Sequence, residues 1–299
     1  MWSKSALGHR WRKWQIGTLG LIVLAGAIVF LTLWTPPGAP TGPSNPSPDS
    51  RPACANKARH FGALRQWVKA TFRSAPNSEQ NGSAQDRPKP YEAELIRAGA
   101  RPKHECFLEV AKRGEIDLLF LGDSITDYFT RPDRGRSVWL EYYGDMNAAN
   151  FGIAGDRIEH LLWRLQNGEL EGFSAKVIVL MIGTNNVRAD GTDEILAGIE
   201  AVLREISSRQ PDAKILLLSI FPRGGPESDV WKKVASINSG IAELADQERV
   251  YHLEIWDALL DDEGALLDGA WADSTHPDTK GYEIWASEMH FKLLELLGR

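Results

Sequence analysis

Two blocks of the sequence carry side chains suited to nucleophilic catalysis. Gly122-Asp123-Ser124 follows an aliphatic run and places a serine hydroxyl on a tight turn into a helix. Asp273-Ser274-Thr275-His276 sets a carboxylate three residues before an imidazole, close enough in a turn to orient the ring. These blocks predict Ser124 as the nucleophile, His276 as its base and Asp273 as the group that orients the base.

Two further blocks could supply donors for the oxyanion that forms during acyl transfer. Gly155 tolerates close backbone approach and can present its N–H, and the amide of Asn185 can donate from Gly183-Thr184-Asn185. The N–H of Ser124 itself is the third candidate donor. Each block also has a simpler explanation: Ser124 as a helix cap with Asp127, Gly155 as a turn, and Asn185 as an Asx-type cap. The combination of all four blocks favours catalysis.

The elements around these blocks must bring them together. Short aliphatic runs alternate with longer amphipathic segments, including a helix near 193–209 and a last helix that begins near Pro277. The predicted strands lie near 116–121, 148–151, 176–182, 214–221 and 250–255. Strands that alternate with helices indicate an α/β protein with a parallel sheet covered on both faces. In such sheets ligands bind at the carboxyl ends of the strands, where the first three blocks are expected.

The four blocks, in this order, resemble those of the SGNH (GDSL) hydrolases. Two segments, 150–165 and 176–186, look most like the platelet-activating-factor acetylhydrolase catalytic-subunit type. The resemblance implies a flavodoxin-like three-layer sandwich with a five-stranded parallel sheet, ester hydrolysis through an acyl-enzyme, and no cofactor or metal. It assigns Ser124, Asp273 and His276 to the catalytic triad, and Ser124, Gly155 and Asn185 to the oxyanion hole. One departure is Asn186, because many members carry Asp after the third-block Asn.

The predicted function is hydrolysis of small acyl esters, acetyl esters in particular, of carbohydrates or lipids. A different class of function is a non-catalytic envelope protein that holds an acylated polysaccharide in the same cleft. That alternative predicts the loss of one or more catalytic groups, and all are present. A metal-dependent deacetylase would need a His/Asp ligand cluster beyond Asp273 and His276, and no H-E-x-x-H or comparable spacing occurs.

The amino-terminal third has a different composition. Residues 16–34 carry no charge over a length that as a helix spans roughly 28 Å, about the hydrocarbon thickness of a bilayer. All nearby positive charge precedes this run, so the positive-inside rule places the amino terminus in the cytoplasm and the catalytic domain in the periplasm or outside the cell. A cleaved signal peptide and a secreted protein are the alternative. The predicted organisation is a basic cytoplasmic terminus (1–15), a transmembrane anchor (16–34), a Pro-rich linker (35–53), an extension (54–102) and the hydrolase domain (103–299).

The charge of the chain limits its binding partners, and its two cysteines allow at most one disulfide bond within the chain. The chain has a net charge of −6, and without the four basic residues of 1–34 the remainder carries −10. An acidic body argues against nucleic acid as a partner, since phosphate binding needs a cationic surface. In an oxidising compartment Cys54 and Cys106 could pair, or both could stay as thiols. The sequence leaves the oligomeric state open.

Overall fold

Five short aliphatic runs form a parallel sheet in the computed structural model, which describes residues 88–299. The strands are β1 (Leu118–Gly122), β2 (Ala148–Gly152), β3 (Val177–Met181), β4 (Lys214–Leu218) and β5 (Val250–Leu253). Their order in the sheet is β2-β1-β3-β4-β5, and every neighbouring pair is parallel. This order confirms the predicted five-stranded, flavodoxin-like sheet.

Alternate residues along the central strands face two separate hydrophobic cores. In β3, Ile178 and Leu180 belong to one core, and Val177 and Val179 belong to the other. Because successive strand side chains point to opposite faces, a continuous apolar run is what a strand needs when helices cover both faces of its sheet. β1 and β3 are therefore fully buried along their whole length.

Helices cover each face of the sheet. The α-helices are α1 (Arg101–Ala111), α2 (Ser124–Tyr128), α3 (Arg136–Tyr143), α4 (Ile158–Arg164), α5 (Thr192–Arg209), α6 (Asp229–Glu243) and α7 (Thr279–Leu297). A π-helical turn (Leu165–Glu169) continues α4, and a 3₁₀ turn (Asp257–Leu259) follows β5. α1, α4, α5 and α6 contribute to the first core, and α2, α3 and α7 contribute to the second.

Two predicted element ends are wrong, the start of the last helix and the end of β4. The helix begins at Thr279 with Asp278 as its N-cap, because Pro277 instead pairs with Trp271 in an antiparallel bridge. β4 also ends at Leu218, before the predicted limit of 221. Both errors lie at element ends, where local tertiary contacts decide the backbone path.

Several predictions fall on the amino-terminal part of the chain. The basic terminus, the anchor at 16–34, the linker, most of the extension and Cys54 lie outside the described residues. Within 88–299 the longest helices are too polar to cross a membrane. Cys106 is buried on α1 and disulfide-bonded. Residues 88–100 pack on the body, with Ile96 buried in the first core, and α1 runs through the predicted boundary at 102 and 103.

Candidate active site

Ser124 lies on the turn that joins β1 to α2. Asp123 is the N-cap of α2, and its carboxylate accepts the Ile125 N–H at 3.0 Å, so the alternative in which Ser124 itself caps the helix is wrong. Gly122 is required by close packing, since a Cβ there would lie 2.4 Å from the Met181 carbonyl oxygen. The turn therefore holds Ser124 at the carboxyl end of the sheet, as the first residue of a short helix.

Burial also affects the protonation of Asp123 in this turn. It raises the pKa of Asp123 to about 7, because a charged carboxylate is poorly solvated there; the Ile125 N–H and nearby charges modify this only in part. The folded protein thus binds a proton at Asp123 between about pH 4 and 7, where the unfolded chain has lost it. This carboxyl group makes the free energy of unfolding fall as the pH rises through that window.

We expect Asp123→Asn to flatten that part of the pH profile. Asparagine keeps the oxygen that caps α2, while the titration, worth up to about 4 kcal/mol for a shift of roughly three pKa units, disappears. Urea unfolding at intervals from pH 4.5 to 8 measures the slope. Asp133→Asn removes an exposed carboxylate as the control. Equal slopes in the wild type and Asp123→Asn would contradict the prediction.

The imidazole of His276 connects Ser124 to Asp273. The Oγ of Ser124 lies 2.9 Å from the Nε2 of His276, and the Nδ1 of His276 lies 2.8 Å from Oδ2 of Asp273. Oδ1 of Asp273 also accepts the backbone N–H groups of Thr275 at 2.8 Å and His276 at 2.9 Å. One carboxylate therefore shapes the turn and orients the ring, which is the arrangement that the spacing of the fourth block predicts.

Electrostatics keep Asp273 ionised. Partial burial favours its neutral form, but the hydrogen bonds from the His276 side chain and the turn backbone outweigh burial and lower the pKa of this carboxyl. An ionised Asp273 stabilises positive charge on His276.

The ring of Tyr128 packs on the imidazole of His276 with 5.1 Å between the ring centroids, and the guanidinium of Arg131 covers the Tyr128 ring at 3.8 Å.

Gly155 lies on the loop after β2, which several side chains hold in place. Its φ of +79° is in the left-handed region, and the guanidinium of Arg97 lies 3.0 Å from the position of a Cβ. Arg97 donates to the Ala154 carbonyl at 2.5 Å, and Oδ2 of Asp127 accepts the Ala154 N–H at 3.0 Å. Among residues 88–299 the N–H of Gly155 has no acceptor, so it is available to a ligand.

The side chain of Asn185 reaches this loop from the loop after β3. Its Nδ2 donates to the Asp156 carbonyl at 2.8 Å, which uses one of the two amide hydrogens and leaves the other. Because β2, β1 and β3 are adjacent in the sheet, the loops that carry Gly155, Ser124 and Asn185 lie side by side. The structure thus brings every residue of the predicted site to one edge of the sheet.

A buried charged network lies beneath these loops. Arg164 is fully buried on α4 and donates to the Asp156 carboxylate at 2.8 Å, to Glu169 and to the Phe151 carbonyl at 3.1 Å. Glu169 in turn contacts the Nδ1 of His104 at 2.7 Å. This network fixes the end of β2, and it is not among the features predicted from the sequence. An arginine within the apolar HLLWRL segment is the only sequence signal for it.

Asn186 has a structural role that requires the amide group of its side chain. It is fully buried; its Oδ1 accepts the Ile158 N–H at 3.0 Å, and its Nδ2 donates to Glu159 at 2.9 Å and to Asp190 at 2.8 Å. An aspartate at this position would face two carboxylates without a proton to donate. The departure from the family pattern therefore fits the acidic neighbours of this loop.

We expect Asn186→Asp to lower the free energy of unfolding by about 3 kcal/mol or more at pH 7.5, because it replaces two hydrogen bonds with buried like-charge repulsion. The loss should shrink at pH 5, where protonation restores a donor. Urea unfolding at both pH values measures this. Asn167→Asp, at an exposed position, is the control. Wild-type stability at pH 7.5 would count against this account.

The chain resembles known proteins in both sequence and fold. Residues 120–284 match the GDSL-like Lipase/Acylhydrolase family. Platelet-activating factor acetylhydrolase IB subunit alpha2 from Rattus norvegicus is 35% identical over 211 residues, which cover 70% of this chain and 90% of that protein. A solved structure described as a platelet activating factor from Streptococcus pneumonia has a TM-score of 0.57 at 27% identity, covering 64% of this chain and 92% of that one. An acylhydrolase structure from Bacteroides fragilis, at 18% identity and a TM-score of 0.57, shares the fold over 68% of this chain and all of its own.

Proposed function

The chain belongs to the GDSL-like lipase/acylhydrolase family and is a serine ester hydrolase, and on that premise we propose that it removes short acyl groups, acetyl above all, from carbohydrates or lipids. The observation that carries the proposal is the contact of Ser124, His276 and Asp273 at the carboxyl edge of the sheet. The similarity to a protein named as an acetylhydrolase supports the choice of acyl group.

In the proposed mechanism the Oγ of Ser124 attacks the ester carbonyl carbon while its proton passes to the Nε2 of His276. The resulting oxyanion is stabilised by the N–H groups of Ser124 and Gly155 and by the amide of Asn185. The imidazolium, stabilised by Asp273, then gives its proton to the departing alcohol oxygen, and an acyl-enzyme remains. Water then attacks the acyl carbonyl carbon and gives a proton to the Nε2 of His276. His276 passes this proton to the Oγ of Ser124 as the bond between Oγ and the acyl carbon breaks, which releases the carboxylic acid and restores the Ser124 hydroxyl.

Short connections after the first four strands support a small acyl group. The loops after β2, β3 and β4 comprise only residues 153–157, 182–191 and 219–228, and β1 runs almost directly into α2. Loops of such lengths connect elements and do not form the long insertions that serve as lids over large substrates.

The metal-dependent alternative is tested by chelation. We expect ester hydrolysis to persist in EDTA. Loss of activity in EDTA with recovery on added zinc would favour a deacetylase.

A chain-length series tests the proposal. The full-length protein, purified in mild detergent, is assayed with 4-nitrophenyl acetate, butyrate and palmitate, and acetate release is measured from acetylated envelope polysaccharide. The expected result is the highest kcat/KM for the acetyl ester. A preference for palmitate would overturn the short-acyl assignment, and no turnover of any ester would overturn the proposed function.

We also propose that residues 16–34 anchor the enzyme with its catalytic domain outside the cytoplasm. The uncharged run and the positive charge that precedes it support this orientation. Protease added to intact spheroplasts should then digest the domain. Full protection of the domain until the cells are lysed would show the opposite orientation.

A further inference from the structure

Two arginines, Arg188 and Arg223, lie on the loops that follow β3 and β4 at the catalytic edge of the sheet. Arg223, after β4, donates through Nη1 to the Thr184 carbonyl at 2.7 Å and to the Thr184 hydroxyl at 3.2 Å. Thr184 directly precedes Asn185, and the next residue of the arginine loop, Gly224, donates its N–H to the Ser274 carbonyl at 3.4 Å. Arg223 therefore lies between the loop that carries the amide donor and the turn that carries Asp273 and His276.

Within residues 88–299, neither arginine forms an ion pair. Arg188 is exposed, three residues beyond Asn185, and makes no hydrogen bond or ion pair within residues 88–299. Besides burial, Arg188 lowers the pKa of Arg223, so the two guanidinium groups are close enough to repel each other. By contrast Arg204, on α5, pairs with Glu200 at 2.6 Å.

The carboxylates that attract Arg223 have other partners. Asp123 and Asp273 both interact with it electrostatically, but neither comes within ion-pair distance in the part of the chain that the structure describes. Asp123 caps α2 and Asp273 holds His276. The Nε and Nη2 groups of Arg223 consequently have no acceptor among residues 88–299, which leaves one edge of a guanidinium fork unused.

An unused guanidinium edge that feels the charge of a second cation is suited to a carboxylate or a phosphate, which accept two parallel hydrogen bonds from arginine. This positive pair stands out on a chain that carries a net charge of −10 beyond residue 34. A local cationic site on an acidic body concentrates anionic ligands at that site while the remaining surface repels them.

We propose that Arg188 and Arg223 bind an anionic group, a carboxylate or a phosphate, on the alcohol portion of the ester substrate. The inference rests on the proposed function. An acetyl group offers only a methyl beyond the carbonyl, so the charge must belong to the alcohol. The natural substrate class is then an acetyl ester of an acidic sugar or of a phosphate-bearing alcohol.

Matched esters test this subsite. The full-length protein is assayed with 4-acetoxybenzoate, its uncharged methyl ester and 4-acetoxyphenyl phosphate. Each variant is compared with wild type on the same ester, which cancels the intrinsic reactivity of the leaving groups. We expect Arg188→Gln and Arg223→Gln to lower kcat/KM for the anionic esters about tenfold or more relative to the methyl ester. Arg204→Gln, which removes an equal charge from α5, should leave the ratio unchanged.

The variants distinguish the effect of the positive charge from the effect of the contacts between Arg223 and the Thr184 loop. Arg223→Gln also removes the contacts with Thr184, whereas Arg188→Gln removes no hydrogen bond, so its effect reports on charge alone. Arg223→Lys should restore part of the preference. A larger loss for the phosphate ester identifies phosphate as the ligand, and a larger loss for the benzoate identifies a carboxylate. Unchanged ratios in both glutamine variants would overturn the subsite and leave the esterase assignment intact.

Failure of the esterase assignment can be distinguished from failure of the anion site. If the wild type hydrolyses none of the three esters, binding of inorganic phosphate to the full-length protein is measured by calorimetry instead. Binding that weakens about tenfold in both Arg188→Gln and Arg223→Gln supports the anion site. Absent binding, or binding that neither variant weakens, overturns it.

Discussion

Ser124→Ala is expected to abolish ester turnover and labelling by a fluorophosphonate probe while the protein remains folded. Loss of the serine of a Ser-His-Asp triad lowers kcat by on the order of 10⁶, since neither the base nor the oxyanion donors can replace the attacking oxygen. The substitution removes one hydroxyl and its contact with His276, and no large cavity forms. The melting temperature should therefore change by no more than a few degrees. Initial rates, probe labelling and thermal unfolding are measured on the same preparation.

The chain offers a matched control in Ser219. Its Oγ lies 2.8 Å from the Nε2 of His252 and 2.7 Å from the carboxylate of Glu254, so it too contacts a histidine and an acid. Here, however, the hydroxyl bonds to both groups, whereas a triad requires the acid to orient the histidine. Ser219 is also almost fully buried. Ser219→Ala should keep both turnover and labelling, and labelling that persists in Ser124→Ala would show that another serine is the nucleophile.

The sequence predicts the site because chain topology does most of the positioning. Ser124 and His276 are 152 residues apart, yet each lies next to an element whose place follows from the alternation of strands and helices. In a parallel sheet the loops after adjacent strands share one edge, so motifs at strand ends converge. The spacing within Asp273-x-x-His276 is local, and a turn closes it without help from distant residues.

Contacts that depend on isolated long-range partners could not be predicted in this way. Arg97 belongs to an irregular segment with no hydrophobic period, so nothing in the sequence places its guanidinium over Gly155. Arg223 likewise lies in a loop, and its bond to Thr184 depends on how two loops fold against each other. Arg164 is buried only because Asp156 and Glu169 neutralise it, and this compensation is visible only in three dimensions.

Asn185→Ala is expected to lower kcat/KM by about 10²–10³, equivalent to roughly 2.7–4 kcal/mol of transition-state stabilisation, and to retain probe labelling. The reason is that its second amide hydrogen is proposed to bind the oxyanion, while Ser124, His276 and Asp273 remain in place. Steady-state kinetics with 4-nitrophenyl acetate and the rate of probe labelling measure both effects. Asn167→Ala, at an exposed position, controls for loss of an asparagine side chain.

A purely structural role for Asn185 makes a different prediction. The bond from Nδ2 to the Asp156 carbonyl connects the loops after β2 and β3, so its loss could instead loosen the Gly155 loop. Loosening would raise KM and lower the melting temperature, whereas a lost oxyanion donor lowers kcat at nearly constant KM, because the donor acts on charge that develops only in the transition state. A fall in kcat at wild-type stability assigns Asn185 to the oxyanion hole. Unchanged turnover would remove it from the mechanism and leave Ser124 and Gly155 as the donors.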